Sequence, residues 1–85
     1  MTNKPYPVAK KKRSLSIHGH QTSIALEPEF WAVIDQAITK DGRSQAAFIR
    51  SLDDKRISQK SPHGLAAYLR LYALRFVQEN KPHTD

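Results

Sequence analysis

Four consecutive cations, Lys10, Lys11, Lys12 and Arg13, lead into a stretch where polar and apolar residues alternate, and His18-Gly19-His20 interrupts that stretch. Two kinds of chemistry are on offer. The cations can neutralise phosphates and release counterions from a polyanion, and the two imidazoles can ligate a metal. The second option lacks ligands. There is no cysteine and no carboxylate before Glu27, so the pair supplies at most two, and it reads as solvent-exposed histidines in a turn. His63 and His83 have no partner identifiable from spacing. No nucleophile motif and no glycine-rich phosphate loop occurs, and a chain this small has little room for a pocket. The sequence therefore reads as non-enzymatic, with no metal and no cofactor.

The elements that must position these groups are legible from periodicity. In residues 21–26 the larger apolar side chains Ile24 and Leu26 share one pleat face with Thr22, and Gln21, Ser23 and Ala25 fall on the other. This predicts a strand over about residues 20–26. Glu27-Pro28 ends it, since Pro28 suits a first helical turn, and Glu27 and Glu29 favour the positive end of the helix dipole. Phe30, Val33, Ile34, Ala37 and Ile38, with Trp31 beside them, give a helix over about 28–40. Gly42 offers a left-handed terminator and Ser44 an N-cap. A second helix over about 45–56 follows, with Ala46, Phe48, Ile49 and Leu52 apolar and Arg50, Asp53 and Asp54 facing outward. A third, over about 63–79, carries an apolar set too wide for one stripe: Leu65, Tyr68, Leu69, Leu71, Tyr72, Leu74, Phe76 and Val77. Residues 1–12 read as a flexible basic arm, 13–79 as the domain and 80–85 as a flexible tail.

Residues 13–17 also alternate, with Leu15 and Ile17 on one face and Ser14 and Ser16 on the other. Apolar parity shifts from odd to even across Gly19. Either a continuous strand bulges there or a turn folds the two segments together, and the sequence leaves both open.

Composition sets further bounds. In a chain of 85 residues without cysteine, disulfides and thiolate metal sites cannot supplement a modest core. An isolated strand needs a partner for its backbone groups, most economically a second copy of itself, and the wide apolar face of the third helix also argues for oligomerisation. Net charge is +6, of which +5 lies in residues 1–26 with no acid. No apolar run approaches the roughly 20 residues of a membrane span, and no secretory signal opens the chain, so the expected location is cytoplasmic, with no membrane partner.

The run Lys12-Arg13-Ser14-Leu15-Ser16-Ile17-His18-Gly19-His20-Gln21-Thr22-Ser23-Ile24-Ala25-Leu26-Glu27-Pro28-Glu29-Phe30-Trp31 resembles the opening of small bacterial ribbon-helix-helix proteins. Gly42 and Ser44 sit where that family turns into its second helix, and Leu65-Ala66-Ala67-Tyr68-Leu69-Arg70 resembles the start of an added third helix. The resemblance implies a mostly α fold with a short β-strand, built as an intertwined homodimer around an intermolecular antiparallel two-stranded ribbon that enters the DNA major groove. Carried over by strand parity, Gln21, Ser23 and Ala25 face the bases. Phosphates fall to Lys10, Lys11, Lys12 and Arg13, and to Arg43, Ser44 and Gln45 at the start of the second helix. Ile24, Leu26, Phe30, Trp31, Ile34, Phe48, Ile49 and Leu52 then form the dimer core.

Relatives often place a long polar residue at groove-facing positions where Ala25 offers only a methyl, so direct readout here is sparse. If the first segment is the ribbon instead, Ser14, Ser16 and His18 face outward. The implied function is a repressor-like, nucleoid-associated transcriptional regulator that binds double-stranded DNA as a homodimer. The alternative is an antitoxin-like module that uses the same scaffold to hold a protein partner.

Overall fold

The computed structural model describes residues 9–80. The first eight residues of the expected arm and residues 81–85 of the expected tail lie outside the described residues. Two strands, β1 (Lys11–Ile17) and β2 (His20–Leu26), precede three helices, α1 (Pro28–Asp41), α2 (Gln45–Ser58) and α3 (Leu65–Asn80).

The alternation on either side of Gly19 resolves as a turn. His18 and Gly19 both take left-handed conformations, with φ of 54° and 77°. Two such residues make the tight turn whose twist matches that of paired antiparallel strands. Glycine adopts it freely, whereas His18 bears a steric cost of about 1 kcal/mol. The resulting register pairs Lys12 with Ala25, Ser14 with Ser23 and Ser16 with Gln21, and alternates these with Arg13 opposite Ile24 and Leu15 opposite Thr22. Odd residues of β1 thus share a face with even residues of β2, which accounts for the parity shift.

This pairing corrects the source of the ribbon. Both strands come from one chain, so β2 finds its ribbon partner in β1 of the same chain. It also corrects the arm, because Lys11 and Lys12 already belong to β1.

The helices cover the inner face of the hairpin. Pro28 opens α1, and Gly42 at φ 88° closes it by donating its N–H to the Ile38 carbonyl at 2.9 Å. The Ser44 hydroxyl caps α2 by accepting from the Ala47 N–H at 3.1 Å. α2 runs through Ser58, two residues past the expected end. α3 packs on α1 and on β2, and its Leu69 and Ala73 are completely buried. A bidentate pair joins the Arg70 guanidinium of α3 to Glu27 at 2.9 and 3.3 Å and holds the Glu27 carboxyl below its ordinary pKa.

Of the eight residues assigned to a dimer core, seven (Ile24, Leu26, Trp31, Ile34, Phe48, Ile49 and Leu52) are buried inside one chain, and Phe30 is half-buried. Their burial needs no second protomer, because the hairpin supplies the covering strand from the same chain. Trp31 satisfies its indole N–H on the Lys11 carbonyl at 2.8 Å, which ties α1 to the start of β1.

Candidate nucleic-acid interface

The hairpin has one face turned from the core. Lys12, Ser14 and Ser16 of β1 stand there beside Gln21, Ser23 and Ala25 of β2. All are exposed except Ala25, which is half-buried. The sequence left residues 14–18 and 20–26 as rival groove-facing segments, and the register makes Ser14 and Ser16 neighbours of Ser23 and Gln21 on one surface. The Ser14 and Ser23 hydroxyls meet across the strands at 3.2 Å. The face therefore combines an amide, three hydroxyls, a methyl and an ammonium, with no carboxylate. Such groups can donate and accept at base edges and contact a thymine methyl.

His18, grouped with that face in the alternative reading, is elsewhere. It sits in the turn, and its Nε2 lies 3.0 Å from an Asp54 oxygen and 3.6 Å from an Asp53 oxygen. This contact ties the turn to α2. Asp53, expected to face outward, is buried and also accepts from Arg56 at 2.9 Å.

Around the face, the expected phosphate contacts divide. Lys10, Lys11 and Lys12 are exposed at the open end of the hairpin. Arg13 is not available in the same way, which corrects its assignment. Its position opposite Ile24 directs it inward, where the guanidinium donates to both Asp35 oxygens at 2.8 and 3.0 Å and to Gln45 Oε1 at 2.6 Å, and lies 4.2 Å from the centre of the Trp31 ring. The hydrogen bond to Asp35 raises the Arg13 pKa, and its counterpart lowers that of Asp35. Arg43 folds back on Asp41, with Nε at 2.7 Å from the carboxylate, so its charge is compensated locally.

At the start of α2 the Ser44 hydroxyl oxygen is occupied by the cap and the Gln45 side-chain oxygen Oε1 by Arg13. The Gln45 and Ala46 N–H groups belong to the first turn, which has no intrahelical acceptors. A further cation, which the sequence pattern marks only as outward-facing, stands close by. Arg50 is exposed and, with Ala46, Ala47, Ser16 and His18, lines an open hollow between β1 and α2 that adjoins the outer face. Spacing four residues on from Ala46 was the available signal, but without the hairpin it pointed only to solvent.

Among the described residues no cluster of three or more His, Cys, Asp or Glu side chains is arranged to hold a metal. No helix there is long and apolar enough to cross a membrane.

Comparison with known proteins bears on the sequence and the fold. Residues 10–77 match the sequence description of the ribbon-helix-helix domain. A solved structure of an uncharacterized protein from Bordetella pertussis Tohama I is similar at a TM-score of 0.69 and 29% identity, covering 80% of this chain and 55% of that one. This chain thus spans about half the length of that protein. No curated protein matches it.

Proposed function

Because the chain belongs to the ribbon-helix-helix domain family, a non-enzymatic regulatory fold whose members typically bind DNA, we propose that it is a sequence-specific, repressor-like regulator acting as a homodimer on double-stranded DNA. The observation that carries this reading is the outer face of the hairpin: six side chains from two strands, Lys12 among them, spared from the core, free of acid and bordered by Lys10 and Lys11. A two-stranded ribbon has the width the major groove admits. Gln21 pairs with an adenine edge, Ser14, Ser16 and Ser23 donate or accept at neighbouring bases, and Ala25 meets a thymine methyl.

Affinity comes from the surroundings. Lys10, Lys11 and Lys12 neutralise phosphates on one side of the groove. On the other, the Gln45 and Ala46 N–H groups, with Arg50, receive the backbone. Since each chain carries a whole ribbon, each protomer of the dimer reads its own half-site, and the operator is an inverted repeat. Regulation then follows from occupancy of the site alone.

The test is selection from random duplexes at roughly physiological salt, with titration of the enriched sequence against a scrambled one. The reading expects an enriched inverted repeat bound at least about a thousandfold more tightly. Absence of enrichment, with only weak salt-sensitive binding, removes it.

A further inference from the structure

The exposed large hydrophobic residues described in the chain lie away from the hairpin: Ile57 on α2 and Leu71, Leu74 and Val77 on α3, each between 45% and 57% exposed. The α3 residues recur every third position, a stripe roughly 9 Å long. Its first member also lines a groove of about 460 Å³ between α2 and α3. Leu52, Tyr68, Leu71 and Tyr72 give that groove an apolar floor, and Lys55 and Arg75 stand on its walls. No carboxylate lines it. Among the described residues neither Lys55 nor Arg75 has an ion-pair partner.

We propose that this groove and the adjoining stripe of Leu71, Leu74 and Val77 dock an acidic amphipathic helix of a partner protein. An apolar face on such a helix, with anchors at i, i+3, i+4 and i+7, fills a groove of this kind, while flanking Asp or Glu side chains meet Lys55 and Arg75. Charge decides against the other occupants. A second copy docked through the same patch brings another Lys55 and Arg75 and no lining carboxylate to meet them. DNA brings the matching charge but nothing to cover Leu71 and the tyrosine rings. A small carboxylic acid fits the groove and leaves Leu74 and Val77 in water. No hairpin residue lines the groove, so the proposal is independent of how the outer face reads DNA.

The test uses the full chain and a synthetic helical peptide of about 16 residues, with leucines at the four anchor positions and glutamates beside them. A twin with lysines in place of the glutamates, and phenylacetate as a small acid, serve as comparisons, and amide chemical shifts locate each contact. The acidic peptide is expected to bind at least about tenfold more tightly than its twin, with shifts at Lys55, Leu71, Leu74, Tyr72 and Arg75. The double variant Lys55→Glu, Arg75→Glu changes two exposed positions, so its circular dichroism should match the wild type, and it should reverse the preference between the peptides. Four outcomes overturn the proposal: equal binding of the twins, groove shifts with phenylacetate alone, concentration-dependent shifts at Leu74 and Val77 without peptide, or peptide shifts confined to Lys10, Lys11 and Lys12.

Discussion

Lys12 and Arg13 are adjacent and carry the same charge, yet the pleat sends them to opposite surroundings. Arg13 enters the inner face, where Asp35, Gln45 and the Trp31 ring engage it, while Lys12 stands on the outer face among hydroxyls and in solvent. The same division runs along most of the hairpin. Ile17, Ile24 and Leu26 are buried on one side, and Ser14, Ser16, Gln21 and Ser23 are exposed on the other. A charge count over the segment cannot distinguish these roles. Strand parity can, and it separates residues that hold the fold from residues left over for a ligand.

Mutations can break that division, and the largest effect belongs to the inner face. Leu26 is wholly buried, so Leu26→Ala should cost about 2–5 kcal/mol of stability in urea unfolding. Its DNA affinity per folded molecule should be unchanged, and a parallel loss of affinity would show that the two faces are not independent. On the outer side, replacing Lys10, Lys11 and Lys12 by alanine should lower affinity for every duplex on the order of a hundredfold and flatten its dependence on salt. The unfolding midpoint should stay where it is. An unaltered salt slope would remove these lysines from the interface.

Gln21→Ala is narrower in scope. Binding to the selected site should weaken by about 1–3 kcal/mol while nonspecific binding holds. Equal losses on both DNAs would assign Gln21 to the backbone instead of the bases.

The smallest effect is the pH dependence of the Arg13–Asp35 pair. The Arg13 guanidinium holds the Asp35 carboxyl below its ordinary value of 3.8, so the pair stabilises the fold above that pH, and the contribution fades as pH falls through the lower folded value. The Asp35 side chain is 52% exposed, and solvent screening limits the pH-dependent part to at most about 1 kcal/mol. Stability curves of wild type and Arg13→Ala should therefore be furthest apart near neutrality and approach each other in acid. A constant separation would mean that Arg13 acts through Gln45 and the Trp31 ring alone.

What the sequence made legible was local. Pro28, Gly42 and Ser44 mark helix ends because their backbone preferences and capping groups act within a few residues, and all three stand where expected. The alternation in residues 20–26 assigned Ile24 and Leu26 to the core and Gln21 and Ser23 to the surface, because a strand has a period of two regardless of its partner. The identity of that partner was not legible. It depends on His18 accepting a left-handed conformation, and the carboxylates that His18 meets lie 35 and 36 residues away in α2. The inward turn of Arg13 similarly rests on Asp35, 22 residues downstream. Once β1 is placed as the partner, Ser14 and Ser16 join the face, the supposed dimer core becomes the core of one chain, and Arg50 comes beside the hairpin.

The central claim is that DNA meets the outer face of the hairpin, and amide chemical-shift mapping during titration with the selected duplex tests it most directly. The largest shifts should fall on Lys12, Ser14, Ser16, Gln21, Ser23 and Ala25, with smaller ones at Gln45, Ala46 and Arg50 and none at Leu71 or Arg75. Shifts centred on the groove between α2 and α3, with the hairpin silent, would contradict it.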